Sequence, residues 1–222
     1  MTRYAIYGVP GAESGAPEAA VRVREAALRW FARDDVRAAT SEPRRYGFHA
    51  TLKAPFRLAP GRAEGELAGA LARFAAAQAP IVLPGLHPAP IGSFRALVPT
   101  EQTAIAALAA RIVAEFELFR APLTADEVAR RRPERLSARQ RELLDAYGYP
   151  YVLDEFRVHL TLTNALADGA AGAIDERIVE HFSDVAGADV PLTALTLAIE
   201  REPGAPFEIL RTFPLDAQEP AR

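Results

Sequence analysis

The sequence predicts an α+β fold whose elements run in nearly the same order twice. Three observations carry that expectation. Segments with apolar residues at helical spacing alternate with short runs that read as strands. Strand-like runs come in pairs around Pro- and Gly-rich turns, within 80–100 and again within 190–215. A strand bearing His-x-Thr, then a helix, then a strand pair occurs at two places. His49 lies 32 positions before the next strand start at Ile81, and His159 lies 33 before its counterpart at Leu192.

Taken in order, RYAIYGVP (3–10) reads as a strand ended by Pro and Gly. Residues 17–31 place Val21, Ala26, Leu28 and Phe31 at helical spacing, with Pro17 suited to a first turn. GFHATLKAPF (47–56) is a strand that Pro55 stops or sends to an edge. Residues 61–78 are an Ala-rich helix, 80–100 two or more short strands, and 101–119 an amphipathic helix. The charged stretch 121–150 predicts an inserted pair of short helices joined at Pro133, with starts at Thr124 and Ser137; Gln140 completes a capping box with Ser137. YVLDEFRVHLTLTNAL (151–166) reads as a strand and 168–187 as mainly helix. VPLTALTLAIE and FEILRTFPL form a strand pair, and 216–222 a loose tail.

Composition removes several function classes. With no cysteine there are no disulfides, thiolate metal sites or cysteine nucleophiles. A net charge of −3 gives no bulk attraction to nucleic acid, although it allows a local basic groove. No charged leader precedes a long apolar core, and no run reaches the roughly 18–20 apolar residues of a membrane span, so the expectation is a cytoplasmic protein without a membrane partner. Gly-containing stretches lack phosphate-loop spacing, which argues against an ATPase. No carboxylate cluster suggests a metal, and no cofactor is expected. Of 26 basic residues one alone, Lys53, is lysine.

The chemistry concentrates in two stretches. On a strand, alternate side chains share a face. His49, Thr51 and Lys53 therefore face one way, with Phe48, Ala50 and Leu52 opposite; Arg157, His159, Thr161 and Thr163 face one way, with Phe156, Val158, Leu160 and Leu162 opposite. Each strand thus has an apolar side for a core and a polar, cationic side for a wet cleft. If the two strands meet, two imidazoles and two hydroxyls converge. Near neutral pH one imidazole can accept a proton while the other donates one, which is what displacement at phosphorus requires. Thr51 and Thr161 can donate to non-bridging oxygens, and Lys53 or Arg157 can offset charge in the transition state. Tyr46 is a candidate for stacking on a base or sugar. His87 and His181 read as surface residues, and the RRRPER run at 130–135 as a solvated helix face.

PRRYGFHATLKAPFRL and YGYPYVLDEFRVHLTLT resemble the two-histidine phosphoesterase superfamily, and within it a bacterial branch linked to phosphonate metabolism. The resemblance implies two pseudo-symmetric lobes with four-stranded, mainly antiparallel sheets around a central cleft, flanked by helices. It implies metal-independent cleavage of a small cyclic phosphodiester, with His49 and His159 catalytic and Thr51 and Thr161 holding phosphate. The expected partner is a small phosphorylated or nucleotide-like substrate. Two other functions are consistent with the same motifs: processing of 2′,3′-cyclic or 2′–5′ RNA ends, and non-catalytic nucleotide binding. The sequence does not say which histidine is the base, what the substrate is, how many copies assemble, or what 121–150 does.

Overall fold

A computed structural model describes residues 1–167 and 169–217. Its centre is an eight-stranded sheet in the order β6-β3-β4-β5-β2-β1-β7-β8, with every neighbouring pair antiparallel. The strands are β1 (Arg3–Gly8), β2 (Ala50–Phe56), β3 (Ile81–Ile91), β4 (Phe94–Val98), β5 (Leu160–Thr161), β6 (Ala188–Leu192), β7 (Ala194–Glu200) and β8 (Glu208–Pro214). The helices are α1 (Glu18–Ala32), α2 (Ser41–Tyr46), α3 (Glu64–Ala76), α4 (Thr103–Glu115), α5 (Ala125–Arg130), α6 (Ala138–Tyr147) and α7 (Ala171–Phe182).

The sheet divides into two quartets, β6-β3-β4-β5 and β2-β1-β7-β8, that meet where β5 pairs with β2. The order β1-α1-β2-α3 is matched by β4-α4-β5-α7. The duplication expected from sequence is therefore present, and the fold is α+β. One detail of that expectation is corrected. Ile81 and Leu192, read as equivalent strand starts, are cross-strand partners of each other in β3 and β6.

Alternation along the strands builds the core. Ile6, Ala50, Leu52, Leu97, Leu160, Leu162, Leu195 and Leu197 belong to one apolar cluster with buried residues of α1, α3, α4 and α7. On α1 the buried residues are Ala20, Val23, Ala26, Ala27, Trp30 and Phe31, so the expected Ala26 and Phe31 belong to the stripe and the expected Val21 and Leu28 do not; Leu28 is exposed. Alanines mark the face because the helix lies close to its neighbours, a feature that hydropathy alone ranks too low. The opposite face of the sheet carries a second, small cluster of Ala5, Tyr7, Val9 and Ala198 with Phe207 beside it. That face is left for the site.

Three local readings change. Residues 37–46, given no element in the sequence reading, form a 3₁₀ turn (Arg37–Thr40) and α2. The long strand expected over 151–166 shrinks to Leu160–Thr161. Leu153, at φ 53°, opens a 3₁₀ turn over Leu153–Glu155, and the Val158 N–H donates to the Gln102 side chain instead of a ladder. His181 is half-buried, with Nε2 against the Ala26 carbonyl at 2.9 Å, and is no surface residue.

The inserted helices form as expected, α5 and α6 capped by Thr124 and Ser137, with Pro133 opening a short 3₁₀ turn between them. Arg132, just before Pro133, takes a left-handed φ of 49°. Arg57 pins the insertion to β2 through a two-pronged pair with Glu127, at 3.0 and 2.8 Å. Of the expected loose tail, Ala217 is tied by its N–H to the Gln78 carbonyl, and 218–222 lie outside the described residues. Among the described residues no helix is long and apolar enough to cross a membrane.

Candidate active site

The site is built on the β2–β5 joint. Ala50 and Leu160 are the registered pair. Continuing that antiparallel register by one residue each way sets His49 against Thr161 and Thr51 against His159. The two His-x-Thr triplets are thus copies of each other across a local twofold. The histidines are diagonal neighbours, a relation that places residues about 7–8 Å apart and their Cβ atoms somewhat closer. Two ring nitrogens reaching inward from that spacing can bracket one phosphoryl group.

Each imidazole is oriented by the same local bond. His49 Nδ1 lies 3.0 Å from the Gly47 carbonyl, and His159 Nδ1 lies 2.8 Å from the Arg157 carbonyl, both two residues back. A carbonyl oxygen can only accept, so in both rings Nδ1 carries the proton and donates. Nε2 is left as the proton-accepting nitrogen of each neutral ring. Gly47 makes its half of the geometry available. It ends α2 with its N–H on the Pro43 carbonyl at 2.9 Å and sits at φ 72°, where a side chain would be strained.

The aromatic surroundings differ. Tyr7 from β1 stacks on His49, ring centroids 3.9 Å apart at 25°. Phe94 from β4 tilts against His159 at 5.4 Å. Burial, opposed by the bond to the Gly47 carbonyl and reinforced by the neighbouring charge of His159, brings the His49 pKa down to about 4. His49 is therefore neutral at physiological pH. Burial also raises the Tyr7 phenol far above its usual range, so it stays a hydrogen-bond donor.

Thr51 and Thr161 are half-buried, and neither hydroxyl has a protein partner among the described residues. Thr163 is different. Its hydroxyl accepts from the Arg95 N–H and donates to the Asn164 carbonyl, so it holds β4 to the chain after β5.

Two cavities meet at Thr51, Ala54 and Tyr149. One, of about 320 Å³, includes His49, Thr161, Tyr46, Arg3 and Arg131 in its wall. The other, of about 530 Å³, includes His159, Arg157, Phe94 and Gln140. Tyr46 thus lies in the cleft wall, with its ring beside Phe207 and under Arg45. Arg157 is exposed at the other cavity and forms no salt bridge among the described residues.

Lys53 is not with them. The register steps from Tyr7↔Thr51 to Ile6↔Lys53, so β2 carries one extra residue at this point. A bulge of this kind breaks the alternation. Leu52 and Lys53 both turn to the helix-covered side, where the Lys53 ammonium donates to the Val113 carbonyl at 3.2 Å and to Glu117 at 3.1 Å. Lys53 is 3% exposed, and the expected phosphate contact is replaced by a buried ion pair. Lys53→Met is accordingly expected to act on stability. It should lower the unfolding free energy by about 1–3 kcal/mol, because Glu117 keeps Arg120 as partner, and change kcat/KM less than about threefold. Urea unfolding beside steady-state kinetics checks both halves; a hundredfold loss of activity in a folded variant would return Lys53 to the substrate.

Sequence reading missed Arg3, Tyr7, Arg131 and Tyr149. Alternation in RYAIYG sets Arg3, Ala5 and Tyr7 on one face, yet nothing local says that this face is the cleft. Arg131 belongs to the run expected to be a solvated helix face, and it reaches the cleft because the insertion folds over it, with its guanidinium 4.9 Å above the Tyr149 ring.

The chain's overall fold is shared with that of TT0787 of Thermus thermophilus, at a TM-score of 0.51 and 17% identity, over 98% of this chain and 100% of that one. Two proteins named ribose 1,5-bisphosphate phosphokinase PhnN are similar in sequence. The one from Janthinobacterium sp. (strain Marseille) is 40% identical over 234 residues, 98% of this chain and 52% of its own length. The one from Laribacter hongkongensis (strain HLHK9) is 37% identical over 185 residues, 82% of this chain and 42% of its own length. The chain thus spans about half the length, or less, of these relatives. The model of a family described as "Protein of unknown function (DUF1045)" matches residues 51–208, from Thr51 to the first residue of β8. With that match over most of its length, the chain belongs to the DUF1045 family.

Proposed function

We propose that this protein is a phosphodiesterase that hydrolyses a small cyclic phosphodiester on a nucleoside or ribose, using its two histidines for proton transfer. The observation that carries the reading is the Ala50–Leu160 pairing, which turns two distant triplets into one symmetric site. The neutral His49 takes a proton from water on Nε2 as the water oxygen bonds to phosphorus. His159, protonated on Nε2, gives its proton to the ribose oxygen as that P–O bond breaks. Thr51 and Thr161 donate to the non-bridging oxygens, and Arg157 stands near the charge that develops. These proton transfers do not require a metal ion. His49 is assigned as base because burial and its neighbour keep it unprotonated.

The relatives' printed name concerns a ribose bisphosphate, which supports a ribosyl phosphate as the product class and fits the phosphonate-linked branch that the motifs resemble. The kinase activity in that name is not carried over to this chain. A phosphate-loop kinase needs a glycine-rich loop ending in lysine, and the single lysine here is committed to Glu117.

The test is a panel of nucleoside 2′,3′-cyclic phosphates and a ribose 1,2-cyclic phosphate, followed by ³¹P NMR with chelator present. Conversion of at least one to a monoester is expected. No turnover of any diester, together with equal nucleotide binding by wild type and the double histidine variant, would end the enzyme reading.

A further inference from the structure

The 320 Å³ cavity is larger than one phosphoryl group, and its wall holds polar groups without partners among the described residues. Arg3 is anchored from behind. Its Nε pairs with Glu200, which is fully buried and also accepts from the Gly204 N–H at 3.0 Å. Its two terminal nitrogens make no hydrogen bond to the described residues. Arg131 forms no salt bridge to them either, and is held in place by Tyr149. The phenols of Tyr7, Tyr46 and Tyr149 close the same wall, likewise without hydrogen-bond partners among the described residues. Glu42 lies at the rim, and its carboxylate is 3.7 Å from Arg45 rather than paired with either cavity arginine. Two guanidiniums and three phenols that all donate and face one space are chemically complementary to a dianion. The 530 Å³ cavity beyond His159 mixes Ile91, Phe94 and Phe156 with Gln140, Glu155 and Arg157 in its wall.

We infer that the Arg3–Arg131 cavity is a second anion subsite, which takes a phosphomonoester carried by the substrate at a position other than the bond being cleaved. This rests on the phosphodiesterase reading for the neighbouring site and narrows its substrate to a cyclic diester that already bears a monoester. Arg131 and Arg3 clamp the monoester oxygens, and Tyr46 and Tyr149 donate beside them. The larger cavity on the other side of the triplets takes the rest of the ligand. The insertion at 121–150 acquires a role in this arrangement, since it supplies both Arg131 and Tyr149.

Calorimetric titration with ribose 5-phosphate, inorganic phosphate and unphosphorylated ribose tests the subsite without requiring turnover. Ribose 5-phosphate is expected to bind wild type and His49→Ala/His159→Ala alike, with inorganic phosphate weaker and ribose undetected. Arg131→Gln should weaken ribose 5-phosphate roughly 10- to 100-fold, and Tyr46→Phe by a smaller factor, with thermal melts showing both variants folded. Absence of millimolar binding, equal binding by Arg131→Gln and wild type, or loss of binding in the double histidine variant would each overturn the inference, the last by placing the monoester on the histidines. If cyclic diesters are cleaved but ribose 5-phosphate does not bind, this inference alone falls. If it binds as described and no diester is cleaved, the hydrolase reading falls and the subsite stands.

Discussion

Alanine at His49 or His159 is expected to lower kcat on the preferred cyclic diester by about 10²–10⁴-fold each. Because the two rings serve one displacement, the double variant should fall little further than the worse single one. The pH dependence separates the two roles. With the His49 pKa near 4, its base form persists through weakly acidic solution, so the acidic limb of kcat/KM should fall near pH 4 and not near the ordinary histidine value of about 6.5. A limb at the ordinary value would move the base to another group. The same shift makes a stability prediction with a definite sign. Below about pH 6.5 the unfolded chain binds a proton at His49 that the folded chain refuses until about pH 4. The folded state therefore loses stability as pH drops through that window. His49→Ala should remove this component, so a plot of Tm against pH between 4 and 7 should be flatter for the variant.

Trp30→Ala should produce the largest loss of stability, about 3–5 kcal/mol, or a Tm decrease of about 6–20 °C at this chain length. Trp30 is fully buried on α1, among Phe182 and His181 of α7. Its indole N–H also donates to the Leu162 carbonyl at 3.0 Å, immediately after the second triplet. Trp30→Phe separates the two contributions. It keeps most of the apolar volume and leaves the Leu162 carbonyl unpaired, for an expected cost of about 1–3 kcal/mol. Because Leu162 follows Thr161, this variant should also raise KM for the diester. A Trp30→Phe protein with unchanged urea midpoint and unchanged KM would show that the bond neither stabilises the fold nor places the threonine.

The strand and helix pattern was legible because it is written in local stereochemistry. Apolar residues three and four apart marked α3 and α4, and Thr124 and Ser137 announced the starts of α5 and α6. The family-level reading was legible too, since the two triplets and their flanks are unusually specific. The strand over 151–166 was overextended because its alternation is real in sequence, while Leu153 and the Gln102 side chain take its backbone out of the ladder. Arg131 was hidden for a similar reason. A run of arginines looks solvated until the element carrying it is known to cover a cleft.

By itself the sequence determined that His49 and Thr51 share a face, that His159 and Thr161 share a face, and that the residues between them are apolar. Consecutive side chains on a regular extended backbone point opposite ways, an alternation that the triplets keep and the bulge at Leu52 and Lys53 breaks. Only the tertiary structure decided that β2 lies beside β5, that one extra residue in β2 turns Lys53 into the core, and that the insertion brings Arg131 and Tyr149 over the cleft. Those outcomes depend on which distant strands and helices bury each other's apolar faces, a balance struck over the whole chain and recorded in no short stretch of it.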